Sequence, residues 1–75
     1  MKTKTIDNTL GARMRARRQK IGMSSHALGD KLGVNATTIQ RWELGDVAIS
    51  WNQVRAVADA LGISVASLVS ERWKP

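Results

Sequence analysis

Thr37, Gln40, Arg41 and Leu44 stand at i, i+3, i+4 and i+7, a spacing that gathers side chains on one face of an α-helix. Three of the four carry groups that hydrogen-bond base edges or phosphate oxygens. A guanidinium can donate two parallel hydrogen bonds to a guanine, and a threonine offers a hydroxyl and a methyl. Arg13, Arg15, Arg17, Arg18 and Lys20 form a second group within eight residues, a density of positive charge that suits a polyanion. Each pattern has a plain alternative, a solvated helix face, and composition alone does not separate the two.

Other chemistry is poorly supplied. The chain has no cysteine, which removes disulfides, thiolate zinc sites and cysteine nucleophiles together. His26 is the single histidine and has no partner in sequence, so it is assigned no role. There is no carboxylate pair within one helical segment and no glycine-rich phosphate loop, so the expectation is no catalytic residue, no metal and no cofactor. Trp42, Trp51 and Trp73 are the only aromatic residues, too few for a stacking platform on single strands. Trp42 and Trp51 are expected in the core or at its edge, and Met14 and Met23 read as packing residues.

These side chains must be positioned by 75 residues, enough for one small domain whose core is marginal. Hydrophobic residues make up 43% of the chain, more than a disordered basic tail would hold. Net charge is +6, and its distribution is uneven. Residues 1–20 hold seven bases against Asp7 alone, whereas residues 21–75 hold five bases and five acids. No apolar run approaches the ~20 residues of a membrane span, and Lys2 and Lys4 precede no apolar signal segment. A cytoplasmic protein with an acidic partner is expected.

Glycine, serine and asparagine punctuate the chain into five short helical segments. The first runs from about Asn8 to Ile21, with Leu10, Met14 and Ile21 inward, Asp7 or Thr9 as cap and Gly22 as stop. The second follows Ser24 and ends at Gly33, with Leu28 and Leu32 inward. The third follows Asn35, runs from Ala36 to about Leu44 and stops at Gly45. Ser50 and Gln53 form a capping box for the fourth, whose stripe is Val54, Val57, Ala58 and Leu61 before Gly62. The fifth starts at Ser64 and offers Val65, Leu68 and Val69. The fold class is all-α.

The second and third segments, joined by Gly33-Val34-Asn35, have the form of a helix-turn-helix unit. With Ile39 inward at 100° per residue, Gln40, Leu44, Thr37 and Arg41 lie about 100°, 140°, 160° and 200° away, on the outer face. Glu43 lies only about 40° from Ile39, where a carboxylate is costly unless paired.

The run Leu10-Gly11-Ala12-Arg13-Met14-Arg15-Ala16-Arg17-Arg18, then Gly22-Met23-Ser24, then Ala27 through Gly45, resembles the lambda-repressor-like, Cro/CI-type (XRE) helix-turn-helix family. The likeness continues through Val57-Ala58-Asp59-Ala60-Leu61-Gly62-Ile63-Ser64 and covers about residues 9–70. It implies a compact five-helix domain whose third helix enters the DNA major groove while the second crosses the backbone. On that pattern the DNA-binding residues are Ser24, Ser25, Asn35, Ala36, Thr37, Thr38, Gln40, Arg41, Arg18 and Arg15. Arg18 is placed opposite Glu43, either as a structural ion pair or as one that also presents N–H groups to a phosphate. Two features depart from the family: Ser25 stands where glutamine is common, and the loop 45–49 lacks basic residues.

The resemblance implies a regulator that binds a palindromic operator in double-stranded DNA as a homodimer, a repressor of phage or prophage type at the nucleoid. Val47, Ile49, Val65, Val69 and Trp73 are the expected dimerisation residues. The domain plan is a flexible basic arm over 1–8, the DNA-binding domain over 9–70 and a tail over 71–75. Two rivals stay open: an antitoxin that binds a protein toxin and autoregulates its operon, and a peripheral membrane module. The inward stripe of the first helix opposes the second rival.

Overall fold

Helices leave unpaired N–H groups at one end and unpaired carbonyls at the other, and this chain supplies partners for both. The computed structural model describes residues 6–70 and 73–75. Five helices follow in order: α1 Ile6–Lys20, α2 Ser25–Leu32, α3 Ala36–Leu44, α4 Trp51–Leu61 and α5 Val65–Val69, with no strand among the described residues. Ser24, Asn35, Ser50 and Ser64 cap α2 to α5, each side chain accepting from the backbone N–H three residues on. The capping box is complete, since the Ser50 N–H donates to Gln53 Oε1 at 2.9 Å. At the other end of α2, Gly33 takes the left-handed conformation at φ 73°, and the Val34 N–H returns to the Gly29 carbonyl.

The start of α1 differs from expectation. The helix begins at Ile6, so Asp7 and Thr9 lie inside it and are not its caps. No glycine or proline precedes Gly11 to interrupt a helical backbone, and the helix extends accordingly. The arm expected over 1–8 is therefore helical at 6–8, and its residues 1–5 lie outside the described residues. Of the tail expected over 71–75, the described part is 73–75.

The core is built from Leu10 and Met14 of α1, Leu28 of α2, Ile39 and Trp42 of α3, Val54, Val57, Ala58 and Leu61 of α4, and Leu68 of α5. Each fully buried aliphatic side chain contributes about 1.5–3 kcal/mol. Met23, Leu32 and Val34 pack against its edge. Two expectations fail here. Ile21 is exposed, because α1 stops at Lys20 and the turn through Gly22 carries Ile21 off the inward face. Trp51 is 63% exposed, because it occupies the first turn of α4, before Val54, the first residue of that helix to reach the core. Among the described residues no helix is long and apolar enough to cross a membrane, and no group of three His, Cys, Asp or Glu could hold a metal.

Candidate nucleic-acid interface

α3 is fixed to the rest of the domain through one face. Ile39 is fully buried and Trp42 nearly so, which sets its rotation. α1 crosses close behind it at Gly11, where a Cβ would fall 2.5 Å from the Glu43 carbonyl oxygen and also strike that of Trp42. α2 meets the turn as closely, since a Cβ on Gly29 would lie 2.5 Å from the Val34 carbonyl oxygen. These two glycines are required for close approach.

Arg18 and Glu43 form the expected pair. Arg18 Nε donates to Glu43 Oε2 at 2.7 Å and Nη2 donates to Oε1 at 3.0 Å, while Nη1 donates to the Met23 carbonyl at 3.0 Å. Both partners are largely buried. The hydrogen bond to Glu43 raises the Arg18 pKa above its already high ordinary value; burial opposes this, and the charge of Glu43 adds to the rise. One guanidinium thus ties the end of α1, the end of the following turn and the last turn of α3.

On the opposite face of α3, Thr37, Gln40, Arg41 and Leu44 are all exposed, as the helical wheel required. Ala36 and Thr38 are half-buried at its flank. Asn35 Oδ1 accepts from both the Thr38 N–H and the Thr38 hydroxyl, so these two residues serve the cap as well as the surface. Ser24 is exposed with its hydroxyl accepting from the Ala27 N–H, and Ser25 is half-buried as the first residue of α2. Arg15 is exposed and joins Arg18, Gln40, Glu43 and Leu44 in lining a groove of about 240 Å³ between α1 and α3. Of the ten residues expected at the interface, the structure brings three, Arg15, Arg18 and Gln40, to one groove.

The basic cluster of α1 does not act as one surface. Arg17 Nε donates to the Leu61 carbonyl at 2.8 Å and its Nη1 to the Pro75 carbonyl at 3.0 Å. Arg13 Nη1 donates to the Leu68 carbonyl at 2.9 Å, and its guanidinium lies over the Trp73 ring at 5.6 Å. Both arginines therefore face the C-terminal ends of α4 and α5, away from the Arg15 groove. The signal was available in the spacing: measured from Met14, Arg17 lies about 60° to one side and Arg18 about 40° to the other, both near the inward direction.

The expected dimerisation residues also divide. Val47 and Val69 are exposed, whereas Ile49, Val65 and Trp73 are half-buried against the core. Trp73 in particular is turned beneath Arg13 and is not a free surface residue. Trp51 and Leu44, each 63% exposed, were not in that set. The capping box announces the position of Trp51, since it fixes that residue in the first turn, outside the α4 stripe.

One helix of this pair is held from behind with its outer face bare, and over residues 9–69 the chain matches the helix-turn-helix domain family. The chain belongs to that family. Its relatives include an HTH-type transcriptional regulator of Rhizobium meliloti, 32% identical over 65 residues. That match takes in 87% of this chain and 47% of the relative, so the chain spans about half the length of the curated relatives it matches. Among solved structures, the clp gene regulator ClgR from C. glutamicum superposes on this helix-turn-helix domain with TM-score 0.86 at 27% identity, covering 89% of this chain and 87% of that one. The P22 c2 repressor in complex with a synthetic operator gives TM-score 0.71 at 34% identity, covering 79% and 89%. The lambda-repressor-like fold expected from the sequence is therefore the fold observed. A hydroxypropylphosphonic acid epoxidase from S. wedmorenis gives TM-score 0.80 at 30% identity over 88% of this chain but 35% of the enzyme, so the same unit also occurs as part of an enzyme.

Proposed function

We propose that this helix-turn-helix domain reads double-stranded DNA for a transcriptional regulator, through the exposed face of α3. The observation that carries the reading is the combination of an outer face made of Thr37, Gln40, Arg41 and Leu44 with an inner face clamped by Gly11, Ile39 and the Arg18–Glu43 pair. Such a helix can enter the major groove as a rigid element. In this reading Arg41 meets a guanine, Thr37 and Ala36 meet adjacent base edges, and Gln40 meets a base or phosphate. Ser24, Ser25, Asn35 and Thr38 lie along the backbone, with Arg15 and the spare N–H groups of Arg18 facing phosphates.

The finer reading is a phage- or prophage-type repressor at the bacterial nucleoid, bound to a palindromic operator as a homodimer. The likeness to the P22 c2 repressor, whose structure was solved on an operator, supports it. Selection of bound duplexes from a random pool is the test. A palindrome with half-sites about one helical turn apart is the expected product. Recovery of no preferred sequence would overturn the reading.

A further inference from the structure

Leu44, the last residue of α3, is 63% exposed and outside the core, so folding gives no account of a leucine there. Its neighbours are polar: Arg41 stands one turn before it on the outer face, and Arg15 and Gln40 line the same groove. Single apolar side chains on a surface are ordinary. What sets this one apart is the fixing of its backbone, since helix ends commonly fray. α1 presses on the Glu43 carbonyl at Gly11, and Arg18 holds the Glu43 side chain. Beyond Leu44, the Gly45 N–H donates to the Trp42 carbonyl at 3.2 Å and the Asp46 N–H to the Arg41 carbonyl at 3.0 Å. Leu44 therefore projects from a rigid point of the face, among groups that hydrogen-bond.

A leucine in that place stabilises a complex only against an apolar group. The base edges of the major groove carry hydrogen-bonding nitrogen and oxygen atoms, and the C5-methyl of thymine is their one apolar projection. We infer that Leu44 is a specificity-determining residue, whose side chain packs on the methyl of a thymine beyond the base that Arg41 reads. This rests on the reading of α3 as the major-groove element. The helix rises about 4.5 Å from Arg41 to Leu44, and base pairs stack about 3.4 Å apart. The thymine therefore lies within about two base pairs of the guanine that meets Arg41. Burial of one methyl group corresponds to about fourfold in affinity.

The test is removal of the methyl from the DNA, on the half-site obtained by selection. Replacing each thymine in turn by uracil removes the methyl and keeps every hydrogen-bonding group. At one thymine per half-site, beside the position where Arg41→Ala relaxes preference, this should weaken binding of the parent chain about fourfold. Leu44→Ala should bind the intact site about fourfold more weakly, be indifferent to the same uracil, and melt as the parent does. Indifference of the parent to uracil at every thymine, or a selected half-site without a thymine there, would overturn the assignment while leaving sequence-specific binding intact. An effect of uracil that persists in Leu44→Ala would overturn it by giving the methyl to another side chain. Equal losses for Leu44→Ala on operator and scrambled duplexes, the mark of a contact to deoxyribose, would do the same. A parent chain without any sequence preference would instead remove the major-groove reading, and the Leu44 contact with it.

Discussion

The Arg18 guanidinium meets both carboxylate oxygens of Glu43, at 2.7 and 3.0 Å, across the interface between α1 and α3. Among the described residues it is the one ion pair, and it fixes the orientation of α3 from behind. Arg18→Ala should destabilise the domain by about 3 kcal/mol, because it leaves a carboxylate buried without a partner. In a domain of this size that lowers Tm by more than about 10 °C. Arg18→Met combined with Glu43→Leu should recover most of the loss, since apolar replacement of both partners avoids the stranded charge. Thermal melts of the three proteins check this.

The same pair predicts how stability responds to pH from the arginine side. A base whose pKa is raised on folding stabilises at every pH below its unfolded value and loses that effect only as pH rises through its folded value. For Arg18 that window lies above the alkaline limit of ordinary measurement. Between about pH 7 and 10 the difference in Tm between the parent and Arg18→Met should therefore stay constant. A difference that shrinks steadily over that range would contradict the assignment.

Gly11→Ala should reverse the usual rule. An exposed helical Gly→Ala change stabilises by about 1 kcal/mol. Here the new Cβ would press on the carbonyls of Trp42 and Glu43, which are backbone and cannot swing away. A loss of about 1–3 kcal/mol in denaturant unfolding is expected.

Salt dependence should distinguish the two sides of α1. Arg15→Ala should lessen the slope of log K against log salt by about 0.9, the loss of one phosphate contact. Arg17→Ala should leave the slope unchanged and lower Tm, since Arg17 bonds to carbonyls of this chain. Binding titrations at several salt concentrations, with melts of each variant, separate these outcomes.

Arg41→Ala should reduce affinity for the preferred operator by about 1–3 kcal/mol and relax preference at one position per half-site. A contact to phosphate alone would instead weaken every sequence alike and lessen the salt slope by about one. Titration against operator and scrambled duplexes at two salt concentrations decides between them.

Much of this was legible in the sequence because the cues were local. Ser24, Asn35, Ser50 and Ser64 mark helix starts by their own side-chain chemistry, and Gly33, Gly45 and Gly62 mark stops by backbone freedom. The outer face of α3 follows from one buried residue, Ile39, and the helical period. The helical period turns Arg17 toward the inward side, but the carbonyls that Arg13 and Arg17 reach depend on where α4 and α5 end in space, which no local pattern encodes. Counting charge along α1 therefore overstated the positive surface beside α3. Trp51 misled for the opposite reason: its size suggests a core residue, and only its place in the first turn of α4 shows otherwise.

The bare outer face of α3 bears on how such domains diverge. Among the described hydrogen bonds, none involves the side chains of Thr37, Gln40 or Arg41, and Leu44 is outside the core. Exchanging these four residues should therefore leave folding nearly untouched, as surface changes usually stay within about 0.5 kcal/mol. Gly11, Arg18 and Glu43, by contrast, have little freedom to vary. A lineage could then acquire new target sequences through four interchangeable positions, with the scaffold inherited intact.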